Sequence, residues 1–309
     1  MAKAALYGHG IGAALLACAL ASSVPLRQAV ASERVRFDSA AVKPVLTEFQ
    51  RRRAEASGQK IESTPGDAIE GYVVKPNGPG SFPVIVYLHD CSGLSADVKA
   101  ETFDPAQPPA GESPASPDAF FTSKLVSWGY AVVMPDSFAT RSVRETCTTS
   151  TRPKQGWDAY GALAYAQAQP WADAKRVGLV GLSSGYVWHV ARVSDLDIVV
   201  TPNEPFKGIV ELLYHANCGA GTKMTAPTLA INGGVLEPEK CVASVREATE
   251  GGAPVTYVPI KGAYGSFITS AGELNQAAFK AWVRTSEADK TVGMVRSFLD
   301  WHVKETGSH

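Results

Sequence analysis

The segment Arg176-Val177-Gly178-Leu179-Val180-Gly181-Leu182-Ser183-Ser184-Gly185 reads as a strand, a tight turn and the start of a helix. A serine hydroxyl becomes a useful nucleophile only when it is exposed and a base can take its proton. Glycine two residues to either side of Ser183 supplies the first condition. The turn that lifts the hydroxyl clear of the sheet has no room for side chains at Gly181 or Gly185. A helix beginning behind Ser183 favours negative charge there. Acyl transfer also needs two backbone N–H groups aimed at the developing oxyanion. Ser184 is assigned one of them. Cys91, in the loop Asp90-Cys91-Ser92-Gly93 after an apolar strand, is assigned the other.

The elements that must position these groups are legible as alternating patterns. Strands are expected at Gly71–Val74, Val84–His89, Ala131–Met134, Val177–Leu182, Gly208–Tyr214, Thr228–Ile231 and Val255–Pro259. Val84 to Leu88 and Val177 to Val180 are almost wholly apolar, as in strands buried on both faces of a parallel sheet. Helices are expected at Phe120–Trp128, ended by Gly129, at Trp157–Gln169, ended by Pro170, at Pro238–Thr249 and at Val292–Val303. This alternation implies an α/β fold built from right-handed βαβ units. Residues 97–117 hold five prolines and few large apolar residues, and read as a loop or lid near the ligand-binding end of the sheet.

With 309 residues, 45% of them hydrophobic and 19% charged, the chain can bury one sizeable core. A net charge of −1 and the lack of a long basic run argue against a nucleic-acid partner. Residues 1–31 read as a signal peptide: Lys3, an apolar stretch from Ile11 to Val24, and Ala29-Val30-Ala31 before the cleavage point. That stretch is shorter than the roughly 20 residues of a membrane span, so no stable membrane anchor is expected after cleavage. The competing reading is a lipoprotein site at Cys18. Residues 32–309 then form a single domain, secreted or periplasmic. Four cysteines remain in it, an even number that suits disulfides in an exported chain. Cys91–Cys147 and Cys218–Cys241 are the preferred pairs, because each would join loops at one end of the sheet. The alternative is four separate buried thiols. No close cysteine spacing suggests a metal site.

Several segments together resemble the dienelactone hydrolase family of α/β-hydrolases. They are Phe82 through Leu94, Gly129 through Phe138, Asp158 through Tyr165, Arg176 through Gly185, and Gly262-Ala263-Tyr264-Gly265-Ser266-Phe267. The resemblance covers nearly all of the chain after about residue 65. It implies an α/β-hydrolase fold, with a mostly parallel central sheet and helices on both faces. It also implies hydrolysis of small esters or lactones without a cofactor, using serine as nucleophile as in exported relatives. Arg141 falls in a loop where the family often places a substrate-contacting arginine, suited to a bidentate grip on a substrate carboxylate. The alternative is a solvated loop arginine.

The chain departs from the family pattern around the site. Where the resemblance places the catalytic histidine, this sequence has Gly265, which cannot move a proton. The turn expected to hold an aspartate reads Asn232-Gly233-Gly234-Val235-Leu236-Glu237-Pro238. Glu237 is the candidate acid there, though Glu237 and Glu239 equally suit the first turn of a helix. His215, at the end of the strand next to the one delivering Ser183, is the best substitute base. His89 reads as structural, and His189 faces away on the helix after Ser183. Asp90, Tyr186 and Trp188 replace small residues and are candidates for contact with a small carboxylated or aromatic ligand. Glu211 sits in an otherwise apolar strand. A solvent-facing position is the preferred reading; burial would raise its pKa and make it a possible base. Three functions therefore stand: a serine hydrolase with an altered site, a binding protein on a hydrolase fold, or catalysis by a repurposed constellation, for example one using Asp90 or Glu211.

Overall fold

The computed structural model describes residues 31–44, 46–105, 116–148, 154–182, 205–214, 224–232, 252–260 and 275–305. Its eight strands are β1 (Glu33–Asp38), β2 (Ala68–Val74), β3 (Phe82–Leu88), β4 (Ala131–Asp136), β5 (Ala172–Leu182), β6 (Ile209–Tyr214), β7 (Thr228–Asn232) and β8 (Val255–Pro259). They form one sheet in the order β1-β2-β4-β3-β5-β6-β7-β8. Only β2 runs against its neighbours; from β4 through β8 every described pairing is parallel. The expected strands are all present, and the sheet is extended at one edge by β1, which its polar alternation had hidden. With helices on the sheet, this architecture is the α/β-hydrolase fold.

The described helices are α1 (Glu48–Ser57), α2 (Ala96–Lys99), α3 (Pro117–Ser127), α4 (Gln155–Gln167), α5 (Gln276–Val283) and α6 (Ser286–Leu299). They divide the core in two. Alternate residues of the strands, among them Ile85, Tyr87, Val132, Met134, Val180 and Leu212, meet α3, α5 and α6. The other set, including Val84, Val86, Leu88, Val133, Leu179 and Ile209, meets Ala159, Ala162, Leu163 and Ala166 of α4. Period-two alternation between two apolar layers is why these strands read as continuous apolar runs.

The turn after α3 follows its sequence signal. Gly129 has φ 90°, which a residue with a side chain rarely adopts, and its N–H donates to the Val126 carbonyl. The chain then enters β4 directly. The expected helix at Pro238–Thr249 lies outside the described residues, as do residues 1–30. Within the proline-rich stretch, the described residues include the end of α2 and two core side chains, Val98 and Phe103. That part is docked rather than a free loop. No helix among the described residues is long and apolar enough to cross a membrane.

Candidate active site

β5 lies inside the sheet between β3 and β6, and its last residue is Leu182, one before Ser183. The carboxyl ends of the parallel strands are the usual ligand-binding edge of such a sheet. Ser183, Ser184, Tyr186, Trp188, His215, Glu237 and Gly265 lie outside the described residues, as do His189, Glu239, Cys218 and Cys241. The structure therefore describes the framework around β5 and the loops after β3 and β4.

The loop after β3 is tightly organised. The Asp90 carboxylate accepts from the Ser92 backbone N–H at 2.8 Å and from the Ser92 hydroxyl at 2.6 Å, while the Gly93 N–H donates to the Asp90 carbonyl at 3.3 Å. Gly93 has φ 93°, and a Cβ there would lie 3.2 Å from the Phe138 ring, so the turn requires glycine. The Cys91 N–H, by contrast, has no acceptor among the described residues. Its carbonyl accepts from Thr146 at 2.8 Å, and its sulfur is bonded to Cys147. The expected Cys91–Cys147 disulfide is thus present, tying the loop after β3 to the loop after β4. Asp90 is buried, which raises its pKa, with the two Ser92 bonds acting the other way.

His89 is a structural residue, as its place at a strand end suggested. Its Nδ1 lies 2.7 Å from the Asp90 carbonyl, and Nε2 accepts from the Ser137 N–H at 3.3 Å. Complete burial lowers its pKa and keeps the ring neutral. Its carbonyl accepts from the Gln155 amide at 2.8 Å, and Phe138 packs edge-on at 4.6 Å.

Beside it lies a polar cluster that the sequence did not flag. Asp118, in the first turn of α3, accepts from the Tyr87 hydroxyl at 3.0 Å and from the Ser95 N–H and hydroxyl at 2.8 and 2.6 Å. Burial first, then the charge of Asp90, push its pKa up to about 6. Lys99 reaches Asp136 at 2.6 Å. Burial pushes Asp136 up, but Lys99 and neighbouring charges hold it below the ordinary carboxylate value. These contacts fasten α2 against the ends of β3 and β4. An aspartate in a first helical turn looks like ordinary dipole complementarity in sequence, so nothing marked Asp118 as buried.

The structure corrects the expectation for Arg141. Instead of a free fork for a substrate carboxylate, its guanidinium grips buried Asp158 with two bonds, Nη1 to Oδ2 at 2.7 Å and Nη2 to Oδ1 at 2.8 Å. Nε donates to Asp67 at 2.9 Å and Nη1 also to the Ser137 carbonyl at 2.9 Å. Ser39 completes the partners of Asp158 at 2.6 Å. The fork is spent on joining the loop after β4 to α4 and to the start of β2.

Glu211 also departs from the preferred reading of a solvent-facing position. It is 0% exposed, on an inner strand, and neither carboxyl oxygen has a hydrogen-bond partner among the described residues. Register places it in one row across the sheet: Leu88, Gly181, Glu211, Ala230, Tyr257. The row faces the α4 side of the sheet. The Tyr257 hydroxyl in the same row is likewise buried without a partner among the described residues. Burial alone drives the pKa of Glu211 well above its ordinary value, because the charged form would lose its water. Among the described residues no cluster of His, Cys, Asp and Glu has the arrangement to hold a metal ion.

No protein-family model matches the chain, and no curated protein matches it. Solved structures do share its fold. A thermostable esterase from Pseudomonas putida ECU1011 is 14% identical with a TM-score of 0.50, over 77% of this chain and 80% of that one. Bacterial heroin esterase is 12% identical with a TM-score of 0.50, over 88% of this chain and 85% of that one. A dienelactone hydrolase-like promiscuous phosphotriesterase from metagenomic libraries is 14% identical with a TM-score of 0.49, over 87% and 99%. At such identities the likeness to the two esterases shows a shared fold alone.

Proposed function

We propose that the chain is an exported serine hydrolase of small esters or lactones, with Ser183 as nucleophile and the N–H groups of Ser184 and Cys91 holding the oxyanion. The observation that carries this reading is the Cys91 N–H. It stands at the end of β3, the strand beside β5, and has no acceptor among the described residues, while Asp90 takes up the N–H groups of Ser92 and Gly93. A donor kept unpaired in an ordered loop is what an oxyanion hole requires. Asp90 then acts by ordering this loop. His215 is the candidate base, Glu237 the candidate acid, and Tyr186 and Trp188 the candidate contacts to substrate. The disulfide supports an oxidising compartment, in keeping with a leader at residues 1–31 and a single domain beyond it.

Turnover is expected to be weak. Loss of a triad member costs about 10⁴- to 10⁶-fold in turnover, and the oxyanion hole alone leaves roughly 10³-fold acceleration over water. Gly265 at the expected base position favours a second reading, a binding protein that has lost turnover. Hydrolysis of p-nitrophenyl acetate by the mature protein, beside Ser183→Ala, separates the two. Activity that Ser183→Ala abolishes supports the hydrolase. Equal activity in both proteins, or none in either, refutes it for this substrate and supports the binding role.

A further inference from the structure

Between β1 and β2 the chain leaves the sheet, forms α1, and returns through an isolated bridge between Val42 and Thr64. A cleft of about 510 Å³ opens between this excursion and the start of α4. That volume suits a small-molecule site. The cleft lies at the same edge of the sheet as the candidate active site, because β1 ends where β2 begins and Glu70 near the start of β2 pairs with Asp136 at the end of β4. Four strand spacings, about 19 Å, separate β1 from β5 in the sheet order. The cleft is therefore distinct from the surroundings of Ser183.

Its walls and charges point to one ligand chemistry. Val42, Pro44, Pro65 and Trp157 supply the apolar part of its lining. The Trp157 carbonyl accepts from the Ala40 N–H at 3.0 Å, which fixes this wall to the excursion. Asp67 accepts from Lys154 and Arg141, both at 2.9 Å, and Arg141 in turn grips Asp158. These two carboxylates balance Arg141 and Lys154. Lys43 is exposed in the lining and makes no ion pair among the described residues, so the cleft carries excess positive charge. The cleft also borders the start of α4, where Lys154 makes no side-chain cap. The positive end of a three-turn helix there adds to the attraction for an anion.

We propose that this cleft is a second small-molecule site, taking a flat aromatic carboxylate whose ring lies among Val42, Pro44, Pro65 and Trp157 and whose carboxylate is held by Lys43. The proposal does not depend on Ser183 being a nucleophile.

Calorimetric titration of the mature protein with 2-naphthoate tests it, with uncharged 2-naphthylmethanol as comparison. The expected result is saturable binding of the carboxylate with a Kd below about 1 mM. The alcohol and the Lys43→Glu variant should each bind at least about tenfold more weakly. Lys43 lies outside the Asp67 ion pairs, so this change leaves the framework intact. Thr64→Trp, at an exposed position in the lining, should fill the cleft and abolish binding while the thermal midpoint stays unchanged. Ser183→Ala should bind 2-naphthoate as the parent does. No saturable binding, equal binding of the alcohol, indifference to Lys43→Glu and Thr64→Trp, or loss of binding in Ser183→Ala would each overturn the proposal.

Discussion

Replacing Glu211 offers a sharp test of the buried-acid reading. In the unfolded chain this side chain ionises near its ordinary value of 4.5, whereas burial in the sheet drives its folded pKa well above that. The folded state therefore holds one more proton than the unfolded state over the intervening range. A group with a raised folded pKa contributes its stability fully below the unfolded pKa and loses it as pH rises. The loss approaches about 1.4 kcal/mol per pH unit between the unfolded and folded pKa values. Other groups titrate in this range, Asp118 among them, so the difference between proteins is the quantity to read. Urea unfolding of the parent and of Glu211→Gln at several pH values should give a stability difference that grows in favour of the variant with that slope. Glu211→Leu should show the same slope and be more stable than the parent at neutral pH, because two unpartnered polar atoms leave the interior. A pH-independent difference would refute the argument and mean that Glu211 is ionised and compensated in the folded protein.

Two further outcomes follow from the framework. Arg141→Met leaves Asp158 buried without its bidentate partner and should cost about 3–5 kcal/mol in urea unfolding. Arg141→Lys should recover only part of that, since an ammonium cannot fork both carboxylate oxygens; full recovery would show that charge alone matters. Removing the disulfide by Cys91→Ser with Cys147→Ser opens a loop spanning 56 residues of separation. The loss should be about 4 kcal/mol by chain entropy, seen as a lower urea midpoint, and an unchanged midpoint would refute it.

Sequence alone determined the layered fold, because that fold rests on local periodicity. Val84 to Leu88 and Val177 to Val180 alternate between two apolar layers, and a strand buried on both faces has no other simple composition. The cysteines at 91 and 147 were legible for a similar reason: a covalent bond imposes residue type directly. What the tertiary structure decided were partners. Arg141 in a polar loop gives no sign that Asp158, 17 residues further on, takes its guanidinium. Asp118 and Asp158 both look like surface acids of a first helical turn, and only distant partners, Tyr87 and Ser95 for the one and Arg141 and Ser39 for the other, take them out of water. Glu211 showed its oddity in sequence, a charge among aliphatic residues, but its burial depended on β7 and β8 pairing beyond β6 rather than leaving it at an edge. Strand order, and with it which polar groups lose water, is set by contacts between distant segments, and no local pattern encodes those contacts.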